Sequence, residues 1–148
     1  MVALGDLGDE NYAVAVSGDG AVIVGEHKIG NQRHWFRWTV ATGMQAHTGL
    51  DGEVSASARD VNEDGSVVVG LSEDDESVDH AFRWTTSGGG AKLGTLEENA
   101  SRTVADAVSG DGTTIAAPKT GGHFAGLRAW AWSRCPSRQT LETRRWKR

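Results

Sequence analysis

One pattern recurs three times along this chain of 148 residues, and the recurrence limits its fold more than any other feature. The first copy runs Ala13-Val14-Ala15-Val16-Ser17-Gly18-Asp19-Gly20, then Val22-Ile23-Val24-Gly25, then His34-Trp35-Phe36-Arg37-Trp38-Thr39. The second runs from Ala58 to Gly65, through Val67-Val68-Val69-Gly70, to His80-Ala81-Phe82-Arg83-Trp84-Thr85. The third keeps Ala105-Asp106-Ala107-Val108-Ser109-Gly110-Asp111-Gly112, a weaker Thr113–Ala117 and Arg128-Ala129-Trp130-Ala131-Trp132-Ser133. The turn aspartates Asp19, Asp64 and Asp111 and the closing tryptophans Trp38, Trp84 and Trp132 therefore repeat almost in step. A unit this short cannot bury a core alone, so its apolar faces must stack on neighbouring units.

Within each unit the apolar runs are short, rich in β-branched and aromatic residues, and separated by turn residues, which predicts strands. The first unit reads as strands at Tyr12–Ser17, Ala21–Gly25, Arg33–Thr39 and Met44–Leu50, with a polar loop over 26–33. The second reads as strands over 55–61, 66–71, 80–85 and 91–96, and the third over 103–109, 113–117 and 128–133 without a visible fourth. Met1–Leu7 reads as the last strand of a preceding unit, because Leu4-Gly5-Asp6-Leu7 matches Leu93-Gly94-Thr95-Leu96. No run is long enough at helical period. The expected class is all-β: a β-propeller-like array of about three four-stranded antiparallel blades, as an open arc or a piece of a larger propeller. A β-sandwich is the competing architecture, but it predicts no such self-similarity.

The repeat domain covers 1–133, in units of about 1–47, 48–92 and 93–133, followed by a basic tail, 134–148, expected to be disordered with a short helix over 140–146. Residues 1–133 carry 9 Lys/Arg against 19 Asp/Glu, whereas the tail carries five Arg and Lys147 against Glu142 alone. An acidic body excludes a nucleic-acid groove, which needs a basic face. The abrupt change to Arg-, Pro- and Ser-rich sequence reads as a shifted frame or, less favoured, as an arm for anionic partners. No apolar stretch is long enough for a transmembrane helix, and the start, Met1-Val2-Ala3-Leu4-Gly5-Asp6, has no signal-peptide pattern. One cysteine, Cys135, allows no intrachain disulfide. Three blades leave two open sheet edges, which predicts self-association.

The most site-like stretch is Asp60-Val61-Asn62-Glu63-Asp64-Gly65, whose alternating oxygens before a glycine match the opening of a calcium loop. Asp60, Asn62 and Asp64 are the candidate ligands, and calcium is the one candidate cofactor. Val68 and Leu71 then occupy the ninth and twelfth positions, where further oxygen ligands belong. An Asp-Gly hairpin turn explains the stretch more simply. His34, Phe36 and Trp38 share one strand face with repeat-equivalents His80, Phe82 and Trp84, and the aromatics are expected to fill the seams between blades. A ligand role for His34 and His80 is weaker, since Arg128 replaces them in the third copy. The acidic run Glu73–Asp79 reads as a solvated loop. No nucleophile elbow, phosphate loop, dinucleotide fingerprint or zinc spacing is present, so no catalytic residue is expected.

His80-Ala81-Phe82-Arg83-Trp84-Thr85, with Gly88-Gly89-Gly90, Leu93-Gly94-Thr95-Leu96 and the Ala-Val-Ser-Gly-Asp-Gly core, resembles the HAF family of bacterial extracellular repeats over about residues 4–133. The chain departs from it at Trp35 and at Arg128–Trp132. The resemblance implies an extracellular or cell-surface protein, some members lying in autotransporter passengers, and brings no catalytic residues. The function expected is non-enzymatic binding, adhesion or display toward a protein or glycan. The alternatives are a truncated or frame-shifted fragment without independent function, and a propeller hydrolase or lyase acting on carbohydrate.

Overall fold

Among the described residues twelve strands form three separate four-stranded sheets, each antiparallel and each in simple sequential order. The structure, a computed structural model, describes residues 4–8, 10–48, 50–94, 102–118, 129–133 and 141–142. The first sheet holds β1 (Glu10–Val16), β2 (Val22–Ile29), β3 (Gln32–Thr39) and β4 (Gly43–His47). The second holds β5 (Glu53–Val61), β6 (Val67–Asp74), β7 (Asp79–Thr85) and β8 (Gly89–Lys92). The third holds β9 (Ala107–Val108), β10 (Thr114–Pro118), β11 (Ala129–Ser133) and β12 (Leu141–Glu142). Among the described residues there is no helix, hence none able to cross a membrane, and no ladder joins the sheets into a ring.

The register shows why the sequence repeats. Ile23 pairs with Trp38, and Gly25 with Phe36; in the second sheet Val68 pairs with Trp84, and Gly70 with Phe82; in the third Ile115 pairs with Trp132. A bulge interrupts β1 between Ala13 and Ala15, and β5 between Ala58 and Asp60, which are equivalent positions. Each bulge bends the strand that leads into the Asp-Gly turn.

Stacking follows from strand alternation, because residues two apart share a face. Val22, Val24 and Trp35 of the first sheet pack with Ala56, Ala58, Val61, Val68 and Phe82 of the second. The opposite face of the second sheet sends Val67, Val69 and Ala81 against Ala105, Ile115 and Val108 of the third unit. The second sheet thus buries one face on the first sheet and the other on the third unit.

Several expectations change, among them the strand expected over 103–109, which is only Ala107–Val108. The stretch 26–33 is not a loop: β2 runs on to Ile29 and turns through Gly30-Asn31, with Gly30 at φ 60°. Glycine first is the order of a two-residue II′ hairpin, and alternation lets polar residues continue the strand, burying His27 while exposing Lys28. Residues 4–7 join no strand, and residues 1–3 lie outside the described residues. The second unit's last strand runs Gly89–Lys92, residues 93–94 lie outside it, and 95–96 of the expected strand fall outside the described residues. In the tail, Leu141–Glu142 pairs with Ala131 and Trp132 as a fourth strand rather than lying in a helix; the remainder of that predicted helix is outside the described residues.

Candidate functional site

The Asp-Gly stretches are one turn built three times. Gly20, Gly65 and Gly112 donate their N–H groups to the carbonyls of Ser17, Asn62 and Ser109 at 2.8, 3.2 and 2.8 Å, and take φ values of 73°, 69° and 70° that favour glycine. The side-chain oxygen opening each turn accepts the N–H five residues on: Ser17 from Val22, Asn62 from Val67 and Ser109 from Thr114, each at 2.9 Å. The aspartate accepts the N–H two residues on, from Ala21, Ser66 and Thr113. These are four-residue connections with an internal turn, not the two-residue hairpins expected.

This network occupies the calcium candidates. Asp60 accepts from the Val61 N–H at 2.9 Å and, across to the third unit, from the Val108 N–H at 2.8 Å. Asn62 accepts from Val67, and Asp64 from Ser66 at 2.9 Å. Among the described residues no group of three His, Cys, Asp or Glu is placed to hold a metal. Hydrogen bonds from Ser66 hold the Asp64 carboxyl below its usual range, and those from Ser109 and Thr113 bring Asp111 to about 2.

The two repeated histidines are not equivalent in setting. His80 Nε2 lies 2.9 Å from Asp74 Oδ2, inside the acidic 73–79 loop, where Asp74 also accepts the N–H groups of Glu76 and Val78. His34 instead faces His27, its partner across β2 and β3.

A different place gathers aromatic and polar groups around open space. Between the first and second sheets a cleft of about 300 Å³ is lined by Trp35, His47, Thr48, Leu50, Asp51, Ala56, Phe82, Trp84 and Gly90. The register builds it: Trp35 of β3 lies directly opposite His47 of β4. Their rings stack at 4.2 Å with 13° between planes. The Trp84 indole meets both edge-on, 5.4 Å from Trp35 and 5.1 Å from His47, and Phe82 closes the inner side 5.9 Å from Trp35. Trp35 is buried, whereas Trp84 is half-buried and offers surface to the opening. Burial pushes the His47 imidazole below its ordinary value, with the Arg37 charge adding to the effect, so the ring is neutral in neutral solution.

The equivalent of Trp35 in the second unit is Ala81, fully buried in the next seam. An indole where the repeat has a methyl group props the first seam open and gives it aromatic walls. Sequence reasoning treated Trp35 only as a departure from the pattern and did not pair it with His47. That substitution, inside an otherwise repeated strand, was the signal available.

No known family profile and no curated protein matches the sequence. Among solved structures, TolB from Acinetobacter baumannii superposes with a TM-score of 0.58 at 16% identity, over 87% of this chain and 31% of that one. That protein has a β-propeller-type fold. The chain is therefore propeller-like in fold, and it spans about a third of that neighbour's length.

Proposed function

We propose that the chain is a non-enzymatic binding segment of a bacterial HAF-type repeat protein, displayed outside the cell, and that it holds a carbohydrate in the Trp35–Trp84 cleft. The cleft is the observation that carries the reading. Its size suits one small ligand or one unit of a longer one, and its lining sets the polar groups of His47, Thr48 and Asp51 beside the rings of Trp35, Phe82 and Trp84. A sugar ring presents a C–H face that packs on an indole such as Trp84, while its hydroxyls reach the Asp51 carboxylate and the Thr48 hydroxyl. Neutral His47 adds a ring nitrogen that can bond to a hydroxyl without a charge to desolvate. The HAF-like residues at 80–96 carry the family reading and, through that resemblance alone, the extracellular location.

Titration of tryptophan fluorescence with a panel of mono- and oligosaccharides tests the binding. Saturable binding by at least one sugar is expected, lost in Trp84→Ala and weakened about tenfold in Asp51→Asn, the loss of one charge-assisted hydrogen bond. A folded protein that binds no member of the panel overturns the ligand class. Release of a cleaved or eliminated product from a bound sugar overturns the non-enzymatic part. Proteolytic shaving of intact host cells tests the location, with release of this chain's peptides as the expected result.

A further inference from the structure

We propose that His27 and His34 together form a binding site for a borderline divalent transition-metal ion, Cu²⁺ above Ni²⁺ or Zn²⁺, on the face of the first sheet turned away from the aromatic cleft. The two residues are direct partners across the β2–β3 ladder, so both side chains leave the same face of the sheet. Their ring centroids are 5.4 Å apart and the planes tilted by 37°, which leaves room for one ion between two ring nitrogens. His27 is 1% exposed, and among the described residues neither of its ring nitrogens has a hydrogen-bond partner; His34 Nδ1 is buried and likewise unpartnered among them. Buried polar atoms are almost always satisfied, so two adjacent imidazoles with unclaimed nitrogens point to an absent partner.

A metal ion suits this pair of donors better than a hydrogen-bonding ligand. Neutral imidazole nitrogen is the preferred donor for copper, nickel and zinc, and a poor one for calcium or magnesium. No third His, Cys, Asp or Glu among the described residues completes the set. Solvent reaches the pair past His34, which is half-buried, so water is available for the other coordination positions. The site belongs to the first unit alone. In the second sheet the place of His27 is taken by Ser72, which pairs with His80, and His80 is already held by Asp74. It is also separate from the Asp60–Asp64 turn and does not rest on the carbohydrate reading.

The test is titration of the full chain with Cu²⁺, read by electron paramagnetic resonance and by melting temperature. One ion per chain is expected, with hyperfine structure from two nitrogens and a melting temperature that rises with metal. His34→Gln should abolish both signals, and His80→Gln should leave both intact. Copper-induced broadening of the unaltered chain's histidine NMR signals gives a reading that needs no variant: His27 and His34 should broaden first, with His47 and His80 later. Absence of binding, binding that survives His34→Gln, or first broadening at His80 or His47 overturns the site.

Discussion

Phe82 lies across the bare backbone of Gly70, its direct partner in the second sheet, and Phe36 lies in the same way across Gly25 in the first. A methyl group on Gly70 would run into the Ser57 carbonyl oxygen on one side and sit 3.0 Å from the Phe82 ring on the other. One on Gly25 would meet the Tyr12 carbonyl oxygen and the Phe36 ring. Both obstacles include backbone, so neither yields by a rotamer change. Gly70→Ala is expected to destabilise the chain by about 1–3 kcal/mol, the range for overpacking a tight core. Urea denaturation checks this, and an unchanged midpoint would sink it. Phe82→Ala, which removes a ring shared by the core and the cleft, should lose roughly 3–5 kcal/mol.

The turn network makes a second, opposed pair of predictions. Asn62→Ala leaves the buried Val67 N–H without its side-chain acceptor, although the Val67 carbonyl still accepts from the Asn62 N–H. That substitution should cost about 1–3 kcal/mol, since a buried donor loses its bond. Calcium at millimolar concentration should leave the melting temperature where it was, because Asp60, Asn62 and Asp64 already serve backbone amides. A calcium-dependent rise would show that these oxygens can leave the turn for a cation.

The sequential strand order was readable from recurrence, because the turn aspartates recur in all three units and the Gly–aromatic pairs hold the same place in the first two sheets; the first seam was not, since Trp35 fills it rather than Phe36 and Trp38. Other features depended on register, which a linear reading does not contain. The stack of Trp35 on His47 exists only because β3 and β4 pair with those residues opposite. The extension of β2 through Glu26–Ile29 was hidden by its polar side chains, one of which, His27, turns out to be buried. Strand β12 has no repeated residue to announce it and is defined by its pairing with Ala131 and Trp132. The calcium-like spacing of Asp60, Asn62 and Asp64 reflects a hydrogen-bonding rule for turns that uses the same residue types.

Acid should weaken the fold in two stages. The folded His47 is harder to protonate than the ordinary value of 6.5, first because it is buried and then because Arg37 is near. Above 6.5 both folded and unfolded chains keep this ring neutral, and its contribution is complete. As pH falls below 6.5 the unfolded chain takes up the proton first, so stability drains away toward the depressed folded value. Asp19, Asp64 and Asp111 are depressed below 3.8 by their turn hydrogen bonds, so their contribution persists above 3.8 and is lost only below it. Melting temperature against pH should therefore show one decline below 6.5 and a second below 3.8. Buried His27 is also held below 6.5, by burial and then by His34, so His47→Phe should reduce the first decline without abolishing it and spare the second; a first decline of unchanged size in that variant would rule out His47 as a source.

Strand β1 is an edge of the first sheet, and it carries Tyr12, Val14 and Val16 at 53%, 42% and 59% exposure. Unpaired N–H and C=O groups beside exposed β-branched side chains are a template for a further strand, and a second copy of this chain can provide one. The apparent mass in light scattering should rise with concentration above that of one chain. Lysines at two of these positions, in Val14→Lys with Val16→Lys, place like charges on both partners of any such pairing and should return the mass to the single-chain value. A single-chain mass for the unaltered protein over the whole concentration range would remove self-association through this edge. Association that persists in the double variant would move the contact elsewhere, to a sheet edge or face that β1 does not supply.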